Sequence, residues 1–397
     1  MGPAGSADPA GSASSADSAG STAPASTASS ASPSPAATGP PSPKNKTRPA
    51  WLPPKNRAED ERHLAEFQRM MLRSQRADRK KRERDQRLVV DAERQRAADA
   101  ELWAGAVMPR LAEAVATPLV RQLVARSGVP DRLRHRVWPL LIGNALDVDA
   151  AACAAACAAA RAAPEVARAI DRDVAALLPG LGLFQAGKPL HDVVVGVLWA
   201  AAAFRPAGHQ RAAADLAGTL LLHLDAADVF AALLNLMDGP GGRPLYEPDG
   251  GHRQAFHAAF ERAFARHLPE LYRHLRGLGL TPADYLDPLV LPLFARHLPP
   301  DTAARVWDGL LLDRLAGARP PRRPLFRPAA AELAPFEAGL VAAALAVLAH
   351  HGPRLLGDAP GVRAAVGWDA PALAFGAGPA GAAAEVVFLR SIAGFGP

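Results

Sequence analysis

Beyond Trp103 the chain is cut by Gly and Pro into segments whose apolar residues recur every three or four positions, and this pattern restricts the fold more than any other feature. The stretch from Val129 shows the logic. Pro130 suits a first helical turn, and Leu133, Val137, Leu140 and Leu141 make one apolar face. Segments 166–178, 190–204, 212–224, 227–237, 255–276, 282–297, 301–315 and 335–350 read likewise, each as a helix. Strand alternation of useful length does not interrupt them. Aromatics are 6% of the 397 residues and isoleucine occurs only at Ile142, Ile170 and Ile392, so strand-favouring types are scarce while Ala, Leu and Arg abound. The expected fold is all-α.

Upstream of the segmented region the chain changes character twice. Apart from Asp8 and Asp17, residues 2–42 are only Ala, Ser, Pro, Thr and Gly. That composition buries too little apolar surface to offset backbone ordering, so a disordered tail is expected over residues 1–50. After Trp51-Leu52-Pro53-Pro54, residues 58–98 run without Gly or Pro, which predicts one long helix. Pairs such as Asp78/Arg82 and Glu83/Arg87 support it at i,i+4, and the near absence of apolar residues over 73–87 predicts solvent on every face. The domain plan is therefore a tail (1–50), a long basic helix with its connector (51–122), a helical domain (123–356) and a C-terminal extension (357–397).

The net charge of +6 is concentrated in one place. Residues 44–100 carry 17 basic against 10 acidic groups, and the remainder beyond residue 100 is nearly balanced. A solvated connecting helix is one reading of this arm. Peripheral contact with anionic membranes or an acidic partner, helped by Leu64, Phe67, Met70 and Met71, is the other. No nucleic-acid partner is expected, because stacking aromatics are missing among those arginines. The charge-free apolar run 193–204 has 12 residues, short of the about 20 that span a bilayer as a helix. With neither a basic n-region nor an apolar h-region at the N-terminus, a cytoplasmic location is expected. Cys153 and Cys157, one turn apart in an Ala-rich run without paired histidines, read as small core fillers; no metal site is expected. Walker A, GxGxxG, HExxH and GxSxG signatures do not occur.

Several segments taken together carry a resemblance. Gly128-Val129-Pro130 followed by Arg134, Val137, Trp138 and Leu141-Ile142-Gly143-Asn144 resembles the opening of a TBC domain, the Rab GTPase-activating module. Matches continue in that family's order through Ile170, Asp173 and Pro179; Phe184-Gln185 with Gly187, Pro189, His191 and Asp192; Phe204-Arg205-Pro206; residues 220–228; Tyr285; and Arg305-Val306-Trp307-Asp308. The long charged helix and Trp103 resemble the subgroup that carries such a helix before the domain. The resemblance implies an all-α domain of two helical lobes that grips a Rab-family small GTPase in its GTP state. GTP and Mg²⁺ then belong to the Rab, and no cofactor of the chain's own is expected. It also implies a trafficking role, cytoplasmic and peripheral on endosomal or Golgi membranes.

In that family an arginine neutralises charge on the transferred phosphoryl group and a glutamine orients the attacking water. Counted from Ile170 and Asp173, the arginine position falls on Ala176. Arg172 lies four residues earlier, about 6 Å along a helix axis. The family's Gly-Tyr-x-Gln-Gly meets Gly208-His209-Gln210-Arg211-Ala212, with a one-residue deletion before or within it. Anchored downstream, Arg211 takes the glutamine position; with the deletion placed after Gly208, Gln210 takes it and Arg211 replaces the following glycine. Three readings stay open: a silent Rab-binding scaffold, an active GTPase activator with a relocated arginine (Arg211 or Arg172), and a helical adaptor that recognises no GTPase. Arg134, Trp138 and Trp307 are expected to pack helix to helix, and Asp173 either to hold a polar network or to cap a helix.

Overall fold

The computed structural model describes residues 56–149, 151–152, 155–156, 164–205, 207–247, 251–318 and 333–395. The expected disordered tail and both cysteines lie outside them. The chain divides into two units, residues 1–67 and 68–397. Within the first, the described residues open helix α1 (Arg57–Leu102), where Arg57 pairs with Glu61 at 3.1 Å, one turn on. Along its 46 residues α1 buries only Asp99, as expected for a helix with charges on all faces.

Residues 68–395 are helical with no strand among the described residues. A π-helical turn, Trp103–Val107, ends α1 and buries Trp103 and Val107. There follow α2 (Pro118–Ser127), α3 (Arg134–Ile142), α4 (Pro164–Ala175), α5 (His191–Phe204), α6 (Arg211–Leu221), α7 (Ala226–Asp238), α8 (Gly251–His267), α9 (Pro269–Gly277), α10 (Pro300–Ala318), α11 (Pro335–His351), α12 (Ala359–Val366) and α13 (Gly378–Gly394). Helices α4 to α7 pack on one another, and α8, α11 and α13 form a second neighbourhood. Helix α10 touches α2, α3, α11 and α13, and α3 in turn packs on α7 of the first neighbourhood. One continuous apolar core runs from Trp103 to Ile392, so the extension beyond residue 356 contributes Val362, Val366 and Phe388 to it. The stretch Pro335–Leu356 is long and apolar enough to cross a bilayer, but α11 is buried against α8, α10 and α13 as a core helix.

Two predicted helices are broken in the structure, and proline explains both. Segment 255–276 is broken at Leu268 because Pro269 cannot continue α8, and it opens α9 instead. Segment 282–297 is no helix of that length: Pro282–Tyr285 and Asp287–Val290 are single turns, and Pro292 is followed by Leu293 and Phe294 with φ of 47° and 65°. Both side chains are fully buried there, so packing holds the strained turn. The 166–178 segment stops at Ala175, and Leu178 takes φ 40°.

The joint between α10 and α3 is a hydrogen-bonded interlock on the Asp308 carboxylate of α10. Oδ1 accepts from Arg134 Nε (3.1 Å) and Trp138 Nε1 (2.8 Å); Oδ2 accepts from Arg134 Nη2 (3.0 Å) and the Val129 N–H (2.8 Å). Gly128 has φ 78°, and a Cβ there would stand 2.8 Å from Asp308 Oδ2, so only glycine fits the chain this close. Trp138 then stacks against Trp307 with centroids 5.4 Å apart. The expectation that Arg134, Trp138 and Trp307 join helices describes what they do.

Candidate functional site

Helix α4 turns Ile170 and Val174 into the core and, on the same side, Asp173. Its outer side carries Arg172, whose side chain is 76% exposed, with Nε 3.7 Å from Asp173 Oδ1. Ala176 follows the last helical residue and is exposed. Leu177 turns back inward, and its position is set by α6: a Cβ on Gly218 would come within 2.7 Å of Leu177 Cδ2. The Gln185 amide donates to the Leu177 carbonyl at 2.8 Å, which ties the loop after Ala176 to the next turn.

The second part of the site is the turn 205–210. Arg205 is buried and donates from Nε to Asp238 Oδ2 (2.6 Å) and from Nη1 to the Gly208 carbonyl (3.2 Å). Gly208 at φ 65° lets the chain reverse there, and α6 begins three residues later, at Arg211. This clamp directs three consecutive side chains. His209 Nε2 and Asp173 Oδ2 are 2.8 Å apart; Gln210 donates to the Tyr246 carbonyl at 2.9 Å; Arg211 Nη2 donates to the Trp368 carbonyl at 2.9 Å.

Arg211 is held from several directions. Its guanidinium lies over the Trp368 ring, 5.4 Å from the centroid, and pairs with Asp369 at 2.5 Å. That hydrogen bond keeps the Asp369 carboxyl below its ordinary value. Beneath it, Asp215 of α6 pairs with Arg296 at 2.9 and 3.0 Å. Burial pushes the Asp215 carboxyl up to about 6 despite Arg296 and Arg211, and the Asp173 charge pushes the same way.

Of the four candidate positions, Gln210 and Arg211 are turned into contacts within the chain, whereas Ala176 and Arg172 face outward. Asp173 is an interior residue of α4 bonded to His209, so it holds a polar network and caps no helix. Trp368 and Asp369, which seat Arg211, were invisible to sequence reasoning: they lie about 160 residues downstream with no motif around them. His209 carried a signal only as the Tyr position of the family motif. No cluster of three or more His, Cys, Asp or Glu that could hold a metal exists among the described residues.

The chain spans about two-fifths of the vertebrate relatives it matches. It is 30% identical to TBC1 domain family member 14 of Homo sapiens over 291 residues, covering 66% of this chain and 41% of that protein. Identity is likewise 30%, over 288 residues, with TBC1 domain family member 12 of Xenopus tropicalis, 66% of this chain and 42% of that one. Among solved structures, the Chlamydomonas flagellar RabGAP TBC domain aligns over 78% of this chain and 97% of its own, with TM-score 0.52 and 19% identity. The Ypt/Rab-GAP domain of Gyp1p aligns over 68% and 90%, with TM-score 0.50 and 15% identity, and at these identities both comparisons speak for the fold. The sequence model of the Rab-GTPase-TBC domain matches residues 131–340, more than half of the chain. The chain belongs to the Rab-GTPase-TBC domain family.

Proposed function

We propose that this protein binds a Rab-family small GTPase in membrane trafficking and accelerates its GTP hydrolysis weakly or not at all. One observation carries the reading: the outward end of α4, where the family resemblance expects an arginine, presents the methyl group of Ala176. An arginine finger contributes about 10³–10⁵ in rate, or about 4–7 kcal/mol of transition-state stabilisation, and packing adjustments do not replace it. Arg211 is turned toward Trp368 and Asp369, and Gln210 toward Tyr246. GTP and Mg²⁺ enter with the Rab. The location that goes with this function is cytoplasmic and peripheral on endosomal or Golgi membranes, with the basic arm over residues 44–100 adding weak attraction to anionic surfaces. Liposome sedimentation that is equal on neutral and anionic lipid removes that attraction.

The alternative, an active GTPase activator with a relocated arginine, is favoured by the exposure of Arg172, one turn before Ala176. Pull-down against a Rab panel in both nucleotide states, followed by single-turnover GTP hydrolysis with the captured Rab, separates the readings. The scaffold gives state-dependent capture with a near-intrinsic rate, and Ala176→Arg with Arg211→Gln raises that rate. Strong acceleration by the unaltered protein, abolished by Arg172→Ala, makes Arg172 the finger; abolition by Arg211→Ala instead makes it Arg211. Capture of no Rab in either state leaves the helical-adaptor reading.

A further inference from the structure

A cleft of about 570 Å³ opens within the 68–397 unit between the end of α1, the loop after α2, the start of α10 and the middle of α13. It shares no residue with the 172–211 region. Its carboxylates are mostly engaged: Asp99 by Arg126 and Ser127, Asp131 by Arg134, and Glu385 Oε1 by Thr302 Oγ1 at 2.7 Å. Of its four arginines only Arg134 is fully engaged, by Asp308 and Asp131. Arg96 and Arg132 have no acceptor among the described residues, and Arg305 makes one long bond, Nη2 to the Arg126 carbonyl at 3.4 Å. Against these three guanidinium groups stands one unengaged carboxylate, Asp301, among the described lining residues.

Two further donors on the same walls lack acceptors. Arg305 Nε is buried without a partner, and so is the indole N–H of Trp103, a side chain with no exposed surface. A π-helical turn brings Trp103 there, a conformation that recurs at functional sites. Burial, and after it the neighbouring Arg96 charge, push the Arg305 guanidinium below its ordinary value, although Asp308 and Glu385 act the other way.

We propose that this cleft binds a small phosphate ester, with Arg96 and Arg305 as the paired cations. Its volume is in the range of small-molecule sites, and planar guanidinium forks match phosphate oxygens in pairs. Several arginines around one cleft favour an anion carrying more than one charge, which a phosphate ester supplies and a single carboxylate does not.

The test is calorimetric titration of the full chain with pyrophosphate at low ionic strength. Saturable one-site binding with Kd on the order of 1 mM or tighter is expected. Arg96→Gln and Arg305→Gln should each weaken it about tenfold or more, while Arg273→Gln, an exposed arginine on α9 outside the cleft, should leave it unchanged. Arg96 is exposed and bonds nothing that holds the fold, so its variant reports on binding even where Arg305→Gln unfolds. No saturation, equal binding by Arg96→Gln, or equal binding of citrate overturns the proposal. Two arms separate the sources of such an ester. Release by pyrophosphate from phosphatidylcholine vesicles carrying phosphatidylinositol 4-phosphate assigns the ester to a lipid headgroup, and binding without release assigns it to a soluble molecule.

Discussion

Arg134 and Arg211 each stand in a motif through which the chain resembles its family, and their surroundings are opposite. Arg134 is buried, and Asp308 receives it together with Trp138 and the Val129 N–H, each donor directed at one carboxylate. Arg211 is partly exposed at the start of α6, its Nε without an acceptor, its remaining contacts with two residues of the C-terminal stretch. The first arrangement joins distant helices and gives every guanidinium nitrogen an acceptor; the second decorates an edge. A chain can therefore replace the side chains at its reactive edge, Ala176 among them, while the interior that recognises the fold stays fully bonded. Family membership and catalytic competence are carried by different atoms.

The comparison breaks most readily at Asp308. Asp308→Ala leaves the buried Arg134 guanidinium with Asp131 as its one remaining partner and strips the Trp138 and Val129 N–H groups of theirs, and should cost about 3–5 kcal/mol. Urea denaturation followed by circular dichroism measures it. A loss under about 1 kcal/mol means that the interlock does not hold α10 to α3.

Acid should act on the same joint with a smaller effect. His223 stacks edge-on against Trp138 with centroids 4.7 Å apart, and burial first, then the Arg134 charge, depress its imidazole to about 4. The folded state thus prefers neutral His223. Its contribution is fully present above the ordinary histidine value near 6.5 and is lost as pH falls through about 4, up to about 3 kcal/mol in all. Denaturation midpoints measured between pH 7 and pH 4, with His223→Gln as the control that removes part of the slope, sharpen the point. Identical slopes in the two proteins would show that the interlock is insensitive to this proton, leaving His297 and His351, also depressed to about 4, as the sources.

How much of this was written in the sequence depends on the range of the interaction. The 3.6-residue rhythm and the Gly and Pro breaks are local, so the helical class and segments such as 190–204 and 335–350 are legible. Local signals failed where proline sits inside an apolar run: 255–276 looks continuous until Pro269 removes a hydrogen bond, and 282–297 folds into strained turns because Leu293 and Phe294 gain more from burial than helix geometry offers. At the candidate site the residues could be named, since motif order and spacing are read directly. Their orientation could not. That Gln210 turns to Tyr246 and Arg211 to Trp368 follows from α6 packing on distant segments, and no residue near 211 encodes Trp368.

The smallest stability effect, and the most discriminating one, belongs to Asp369→Ala. Asp369 is 90% exposed, and exposed ion pairs contribute about 0.2–1 kcal/mol, so the substitution should cost under about 1 kcal/mol by urea denaturation. Its interest is what it leaves behind. Arg211 keeps the Trp368 carbonyl and ring but loses its counter-charge, which frees the guanidinium to swing outward. If Arg211 is a relocated finger restrained by the C-terminal stretch, Asp369→Ala should raise single-turnover hydrolysis by the captured Rab, and Arg211→Ala should erase the gain. If the edge is silent, hydrolysis stays near the intrinsic rate in both variants, because freeing an arginine from one exposed carboxylate does not place it where Ala176 now stands.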